Sequence, residues 1–513
     1  MQNITRTVYC DVAVIGGGVG GCAAAIEASR KGMRTILFEK GTSLGGLATN
    51  GYVPSVAGNI EGICLEFVKR LDEMGQLAKR GPSSEWYHNP VFEPEYGKIV
   101  LEDLLYEAGS RIMFDSTLID SVVENDRIVS AVFYTKGGYM EVKAKIYIDA
   151  TGDGDLAALS GVPYEVGGQE FGGLNIASTL GTRWAGADLD RYQKAEQQWK
   201  KEKEAKGETP GHFIMELEKI AIERGELSRT VGGPSGFFKL TLPNTPSDNA
   251  DFVTFAFHTY YCHNTDVTDI SRQILEQHQL IKQFHAFLRK YVPGYENVRL
   301  IGMGSIPGVR ESRRIFGQYM LKSTDVAFGT KFEDGIARFP EMYDTHHPTS
   351  EHWFFQRHIH VPEVRGSAIA EENEKGVHCD ARMHPFGTPK GIPVRPDPKD
   401  YCEIPFRCLI PEKIDNLICA GRCCSAEFHA NGAMRIIGPA MGTGHAAGLA
   451  AGIAVRDGLS PKEIDGRNVR SLLIEEGVEL DKPCSGHWEA LRNAKGKYVI
   501  GASDAVSFIR EDK

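Results

Sequence analysis

A glycine-rich segment near the start of the sequence has the residue types and spacing that bind a dinucleotide. Residues 16–21 read Gly-Gly-Gly-Val-Gly-Gly and match the pattern G-x-G-x-x-G at Gly16, Gly18 and Gly21. In such a loop, glycine allows a tight turn, a close approach of backbone N–H groups to a pyrophosphate, and close packing of a helix on a strand. Glu39 lies 18 residues beyond Gly21, where a carboxylate accepts hydrogen bonds from a ribose.

The elements around this loop are predicted from hydrophobic patterning. Residues 12–15 form an apolar run typical of a buried parallel strand, and residues 20–31 form an alanine-rich helix. Residues 35–38 form the next strand. The sequence therefore predicts a βαβ unit with the glycine loop at its first turn.

Three later segments decide between NAD and FAD. Residues 44–48 carry a glycine pair that lets the main chain pass beside a bulky extended ligand, and residues 147–155 form a strand that ends in a glycine turn. Residues 419–422 end another strand, and residues 438–444 begin a helix whose N-terminus would stabilise negative charge on a reduced flavin. Together they favour FAD. The predicted FAD-binding residues are Gly16, Gly18, Gly20, Gly21, Glu39, Lys40, Gly45, Gly46, Leu47, Ala48, Ala150, Thr151, Gly152, Asp153, Gly421, Arg422, Arg435, Gly442 and Thr443.

These segments resemble the FAD-dependent oxidoreductase family of the glutathione reductase-like flavoprotein superfamily, with fumarate reductase and succinate dehydrogenase flavoproteins as more distant relatives. Further motifs at residues 308–315, 404–407, 416–422 and 433–435 carry the resemblance, which covers about residues 8–180 and 250–455. It implies an α/β protein with a Rossmann-like FAD-binding domain and an inserted α+β substrate domain. A pyridine-nucleotide disulfide reductase is disfavoured, because no second nucleotide-binding loop and no closely spaced redox cysteine pair is evident.

The domain organisation follows from these motifs. We predict a discontinuous FAD-binding domain (1–180 plus 415–460), and a substrate domain (181–414) with a charged helical hairpin inserted near 188–225. We also predict a C-terminal helical tail (461–513). Residues 340–400, rich in Pro and His, are predicted to form long loops.

Five side chains are candidates for substrate chemistry. His429 precedes the second glycine helix and is the first candidate for acid/base work or substrate hydrogen bonding; a structural histidine is the alternative. Arg310 and Arg314 lie four residues apart and would share one face of a helix, as a carboxylate clamp requires. Salt bridging between domains is the alternative for both, and Arg407 and Arg435 share this ambiguity.

Composition excludes several other functions. The formal charge of −10 and the absence of a basic block argue against nucleic acid and anionic lipid as partners. Eleven irregularly spaced cysteines and no evident signal or membrane segment make a reducing cytoplasm the expected compartment. No metal is predicted, since Asp344, His346, His347, His358 and His360 have no firm ligand spacing.

The leading hypothesis is hydride transfer between a small organic substrate and flavin N5. The electron acceptor or donor is unidentified, and the sequence is compatible with a homo-oligomer. A flavin-bearing RNA-modification protein, a noncatalytic flavoprotein subunit and an NAD-dependent dehydrogenase are the alternatives. The residues 16–62, 137–173 and 421–458 hold 29 of the 57 glycines, so the compositional excess of glycine lies in the predicted flavin segments.

Overall fold

The computed structural model describes residues 4–78, 90–211, 213–228, 239–339, 346, 348–349, 401–481, 497–503 and 506–511. The strands are β1 Ile4–Ile15, β2 Thr35–Phe38, β3 Leu77–Ala78, β4 Val91–Phe92, β5 Arg111–Met113, β6 Thr117–Glu124, β7 Arg127–Thr135, β8 Gly138–Asp149, β9 Tyr164–Val166, β10 Thr182–Ala187, β11 Lys239–Thr241, β12 Ala250–Thr254, β13 Arg299–Met303, β14 Arg313–Ile315, β15 Gly335–Phe339, β16 Cys402–Pro405, β17 Leu417–Cys419, β18 Lys497–Ser503 and β19 Val506–Glu511. The α-helices are α1 Val19–Arg30, α2 Gly62–Glu73, α3 Pro94–Glu107, α4 Asp155–Leu159, α5 Leu189–Ala205, α6 Phe213–Glu223, α7 Val267–Tyr291, α8 Ser323–Phe328, α9 Asn431–Met434, α10 Ile437–Asp457 and α11 Gly466–Glu475.

A seven-stranded sheet in the order β5-β2-β1-β8-β7-β6, with β17 also paired to β8, forms the centre of the larger core. Strands β5, β2, β1, β8 and β17 run parallel to one another. The register places Ile15 opposite both Phe38 and Asp149, and Asp149 opposite Cys419. Because these strands end together, the segments that follow them meet at one edge of the sheet. The predicted βαβ unit and the α/β fold class are confirmed.

Helix α1 packs against α10 at a spacing that only small residues allow. A Cβ at Gly444 would lie 2.0 Å from the carbonyl oxygen of Gly20, and a Cβ at Gly448 would lie 2.4 Å from that of Ala24. A Cβ at Gly21 would lie 1.9 Å from the carbonyl oxygen of Gly16. These glycines therefore set the distances between the first strand and the two helices.

A second core lies under the four-stranded antiparallel sheet β11-β12-β10-β13. Trp184, Phe252 and Phe284 pack there with their rings in contact, Trp184 lying 5.8 Å from Phe284 between centroids. Helices α5 and α6 form the predicted hairpin, joined by the Trp199–Phe213 ring contact at 5.3 Å. This unit is the α+β insertion that the sequence predicted.

The partition between the two cores differs from the predicted domain boundaries. The larger core includes Ile315 to Phe339 and Cys402 to Ile414, which the sequence assigned to the substrate domain, and it also includes Val469 and Leu473 of α11. These segments return to the larger core because their apolar side chains cover the sheet and α10. The boundary at 414/415 is therefore misplaced.

The predicted helical tail is wrong at residues 497–503 and 506–511, where β18 and β19 pair antiparallel. The sequence there is rich in β-branched and aromatic residues, which favour strands over helix: Tyr498, Val499, Ile500, Val506, Phe508 and Ile509. The predicted loops at 340–400 lie outside the described residues, apart from His346, Pro348 and Thr349. None of the helices in the described ranges is both long and apolar enough to cross a membrane.

Candidate functional site

The glycine loop after β1 forms an open cradle at the N-terminus of α1. Gly16 has φ +101°, and a Cβ there would lie 2.5 Å from the carbonyl oxygen of Ala150, so only glycine fits. Gly18 is the N-cap of α1 and no side chain caps the helix. Among the described residues, no heavy atom lies within 4 Å of the Cβ position at Gly18. The uncapped N-terminus of α1, with its partial positive charge and the open Cβ position at Gly18, is where a phosphate could bind.

Glu39 lies at the end of β2, beside the glycine loop. Its carboxylate accepts hydrogen bonds from the backbone N–H of Gly17 at 2.6 Å and of Gly41 at 2.7 Å. Each carboxylate oxygen has a second lone-pair direction left for a ribose hydroxyl. Lys40 is exposed immediately after it. The acid therefore supports the loop, and its binding of a ribose stays a prediction.

The glycine pair at residues 45–46 packs directly on the loop. Gly45 and Gly46 both have positive φ, at +95° and +54°, and the Gly45 N–H donates to the carbonyl oxygen of Gly17 at 2.8 Å. A Cβ at Gly46 would lie 3.1 Å from Gly18 Cα. The turn Gly46–Ala48, which includes Leu47, continues this wall.

The segment after β8 is fixed by a buried aspartate. The Asp149 carboxylate accepts hydrogen bonds from the N–H and hydroxyl of Thr151 and from the N–H of Ala157. Burial raises the pKa of Asp149 to about 6, although these donors favour its ionised form. The aspartate therefore sets the course of the turn that contains Ala150, Thr151 and Gly152.

Asp153 connects this turn to the segment after β17. Its carboxylate accepts hydrogen bonds from Arg422 at 2.8 Å and from the Ser312 hydroxyl at 2.6 Å. Burial disfavours its ionisation, but the Arg422 charge, the hydrogen bonds from Arg422 and Ser312, and the charge of Lys40 together lower its pKa. A Cβ at Gly152 would lie 2.9 Å from the Arg422 guanidinium. Arg422 thus clamps two of the predicted flavin segments together.

The second glycine helix contributes in part through packing. Thr443 accepts a hydrogen bond from the Gly421 N–H at 3.0 Å and donates to the carbonyl oxygen of Ala440 at 2.9 Å, so its hydroxyl is engaged within the protein. Gly421 has φ +77°, and no described heavy atom lies within 4 Å of its Cβ position. A Cβ at Gly442 would lie 3.0 Å from that of Ala337. Gly421 therefore borders open space, whereas Gly442 packs against Ala337.

The open positions at Gly18 and Gly421 lie at the carboxyl ends of β1 and β17, on the same edge of the sheet. A Cβ at Gly20 would lie 3.0 Å from the carbonyl oxygen of Ala440 and 3.6 Å from Gly421 Cα, which brings α1, α10 and the Gly421 turn together. This cradle could hold an extended dinucleotide, with Gly18 and Glu39 as the residues that would bind its phosphates and a ribose. The residues present fit FAD.

The prediction that Arg310 and Arg314 share one face of a helix is wrong. Residues 308–312 contain no helix and β14 follows at Arg313–Ile315, so the two arginines do not share a helix face. Arg314 is buried and forms ion pairs with Glu311 and Glu165. Burial raises the pKa of Glu311, which the Arg314 charge opposes. Arg314 therefore has the structural salt-bridge role that was the alternative.

Arg407 is likewise engaged in an ion pair. Its guanidinium contacts both carboxylate oxygens of Asp334, at 2.9 and 3.1 Å, and lies over the ring of Tyr319. Because these contacts use the planar face and the fork of the guanidinium, they explain the position of Arg407 without a substrate. Arg435 follows α9 and is partly buried.

His429 lies in the loop between Gly421 and α9. Its Nε2 is 3.0 Å from a carboxylate oxygen of Glu170, and its ring contacts Phe428 and Phe171. The hydrogen bond to His429 lowers the pKa of Glu170 despite partial burial. Glu170 and His429 therefore form a hydrogen-bonded acid–base pair.

The structure adds two histidines that the sequence did not single out as substrate groups. His258 lies after β12, and its Nε2 is 3.4 Å from a terminal guanidinium nitrogen of Arg310. His346 stacks on His258 with ring centroids 5.2 Å apart. Arg310 and His346 lie 52 and 88 positions from His258 along the chain. No local sequence spacing predicts that these three residues meet. From the sequence, His346 is considered only as a metal ligand, and no metal site is predicted there.

One cluster has the donor types of a metal site. Oxygen or nitrogen atoms of Glu27, His445 and Glu476 lie within 4.8 Å of one another. The Lys31 ammonium contacts both carboxylates, at 3.1 Å from Glu27. His445 Nε2 is 3.4 Å from Glu27 and 3.5 Å from Glu476. The lysine already supplies the positive charge, so the arrangement is a four-membered charge cluster.

Comparison with known sequences defines the class of protein. The sequence profile of the family described as FAD dependent oxidoreductase matches residues 11–473. The chain belongs to this family. It is an FAD-dependent oxidoreductase, and its cofactor is FAD.

Individual relatives are similar over shorter lengths or at low identity. The mitochondrial dihydrolipoyl dehydrogenase of Caenorhabditis elegans is 47% identical over 57 residues, which is 11% of this chain and 12% of that protein. A geranylgeranyl bacteriochlorophyll reductase-like protein of Thermoplasma acidophilum is 15% identical with a TM-score of 0.45, covering 92% of this chain and 85% of that one. The p-nitrophenol 4-monooxygenase of Pseudomonas putida is 11% identical with a TM-score of 0.43, covering 92% and 86%.

Proposed function

We propose that this enzyme transfers a hydride between a small organic substrate and the N5 atom of FAD. The single observation that carries the proposal is the open cradle of Gly18, Glu39 and Gly421 at one edge of the parallel sheet, with a second domain beside it. FAD, when bound, supplies the two-electron chemistry. The protein supplies binding, orientation and proton handling.

The roles of the chain's own residues follow from their positions. The N-terminus of α1 at Gly18 binds the phosphates, and Glu39 accepts hydrogen bonds from the ribose. Arg422 and Asp153 hold the segments after β8 and β17 in place. His429, paired with Glu170, holds or moves the substrate proton at its imidazole.

The wider assignment to the glutathione reductase-like superfamily also belongs to this proposal. The short match to a dihydrolipoyl dehydrogenase supports it. The nine cysteines in the described residues are all free and buried, which supports a reducing compartment such as the cytoplasm. The partners proposed are a small-molecule substrate and a separate electron acceptor or donor.

The proposal is tested by adding a metabolite panel to the purified protein without oxygen and following the flavin absorbance. The panel contains sugars, polyols, hydroxy acids and amines. Bleaching by one class identifies the donor, and deuterium at the oxidised carbon should then slow bleaching. If no donor bleaches the flavin, and the photoreduced enzyme reduces no acceptor in a parallel screen, the proposal is wrong.

The role of His429 has its own test. His429→Asn should lower the rate of bleaching by about 100-fold, the usual contribution of a general acid or base, and remove one limb of the pH profile. His263→Asn, at an exposed position, is the matched control. An unchanged pH profile in His429→Asn would assign this histidine a structural role.

A further inference from the structure

Three extended segments of the chain meet where the two cores join. Ser178 and Thr259 exchange backbone hydrogen bonds at 3.1 and 3.0 Å, and Thr179 and Gly308 do so at 3.3 and 2.7 Å. The segments 175–182, 258–264 and 304–310 therefore lie side by side. Arg310 and His258 come from two of them.

This junction lies against the flavin-binding segment. The Ser305 N–H donates to the carbonyl oxygen of Asn50 at 3.0 Å. A Cβ at Gly181 would lie 2.0 Å from the carbonyl oxygen of Gly51. Asn50 and Gly51 directly follow the turn that contains Gly46. Ligand sites commonly form at such junctions between domains.

Three nitrogen-bearing side chains are gathered at the junction. One terminal nitrogen of Arg310 donates to the carbonyl oxygen of Ala177 at 2.6 Å, and the other lies 3.4 Å from His258 Nε2. His258 and His346 are each 3% exposed and stack on one another. Arg310 is partly buried. The guanidinium of Arg310 thus lies beside the buried imidazole of His258, on which His346 stacks.

From this arrangement we infer that Arg310 and His258 bind an anionic oxygen group of the substrate, a carboxylate or a phosphate, and that His346 positions His258. The inference rests on the proposed function and names its substrate class. Guanidinium and imidazole groups are the side chains that recognise such groups by charge-assisted hydrogen bonds.

The residues have distinct roles in this site. The bond to Ala177 fixes the guanidinium in one orientation, which reduces the entropy lost when the substrate binds. His346 positions the ring of His258 by stacking on it. The site would hold the substrate's anionic group in the substrate domain, with its reacting carbon toward the flavin-binding segment.

The experiment uses the full-length holoprotein and probes that need not be substrates. Succinate, malonate and inorganic phosphate are titrated while the visible flavin spectrum is recorded, with succinamide and glycerol as neutral counterparts. The anionic probes should perturb the spectrum at concentrations at least about tenfold lower than the neutral ones. Carboxylate and phosphate arms show which anionic group the site prefers.

Variants connect the binding to the named residues. Arg310→Gln should weaken anion binding by about 30-fold or more, the usual consequence of removing one member of a buried charge pair. Arg310→Lys keeps the charge and a donor for Ala177, so it should recover part of the affinity. His258→Asn should also weaken binding. Arg191→Gln, in an exposed ion pair of α5, and His263→Asn should bind as the wild type.

The outcomes separate this inference from the proposed function. Equal response to anionic and neutral probes, or anion binding that Arg310→Gln, Arg310→Lys and His258→Asn all leave unchanged, would overturn the inference even if some donor bleaches the flavin. Anion-selective binding that is weakened in Arg310→Gln and His258→Asn and partly recovered in Arg310→Lys would support it. A holoprotein that binds anions selectively but never exchanges electrons would instead refute the proposed function. Flavin content and melting temperature show that each variant is folded.

Discussion

Gly18 provides a test in which folding and cofactor binding can be separated. Its backbone has φ −65° and ψ 173°, an extended conformation that alanine adopts without strain. No described heavy atom lies within 4 Å of its Cβ position. The methyl group of Gly18→Ala would therefore enter the space assigned to the FAD phosphates and touch nothing else in the described chain.

The magnitude follows from these contacts. Alanine is a poorer N-cap than glycine, so the apoprotein should lose no more than about 1 kcal/mol. Forcing a methyl group against a closely bound ligand costs about 1–3 kcal/mol by analogy with overpacked cores, or about 5- to 150-fold in the Kd for FAD. Gly21→Ala differs, because its Cβ would lie 1.9 Å from the backbone oxygen of Gly16. That variant should unfold more easily even without FAD.

Two measurements are needed: the Kd for FAD from quenching of flavin fluorescence, and the melting temperature of apoprotein and holoprotein. At an FAD concentration 100 times the wild-type Kd, FAD stabilises the wild type by about 2.7 kcal/mol, and a variant with tenfold weaker binding by about 1.4 kcal/mol. Gly211→Ala, also in open space, is the matched control and should change neither value. Wild-type FAD affinity in Gly18→Ala would refute the placement of the phosphates at α1.

Three further predictions concern buried charges. Burial alone would lower the pKa of His445, but the carboxylates of Glu27 and Glu476 outweigh burial and raise this pKa above 6.5. The paired imidazolium therefore stabilises the fold fully below about pH 6.5, and this stability should decline as pH rises through the raised pKa. His445→Asn should flatten this pH dependence in thermal melts. Burial raises the pKa of Asp149 from 3.8 to about 6, so this side chain binds a proton more tightly in the folded protein than in the unfolded one. The free energy of unfolding should therefore fall by up to about 3 kcal/mol as pH rises from 3.8 to about 6. Asp149→Asn should remove that slope in urea titrations followed by circular dichroism. Arg314→Met should lower the free energy of unfolding by about 3–5 kcal/mol, because it leaves the buried Glu311 carboxylate without its guanidinium; an equally stable variant would contradict the structural role.

The sequence predicts the flavin-binding half well because its signals are local. The apolar run before Gly16 and the acid at Glu39 lie within one βαβ unit, so strand ends and loop could be placed from spacing alone. The same holds for the helix pair α5 and α6, whose charged and amphipathic patterns are continuous along the chain. The fold class follows from these elements.

The substrate half could not be predicted in the same way because its contacts join distant segments. The four-residue spacing of Arg310 and Arg314 suggested one helix face, but strand pairing of β14 with β9 overrides that local pattern. The contact between His258 and His346 depends on how segments 88 residues apart pack, which no spacing encodes. Burial of Arg314 beside Glu311 likewise becomes visible only in the folded chain.

The measurement that tests the central claim most directly is the flavin content of the purified full-length protein. The protein is denatured, and the released cofactor is identified by chromatography and counted against protein. The account predicts about one FAD per chain, bound as isolated or after incubation with added FAD. A folded protein that stays colourless and binds no added FAD would contradict it.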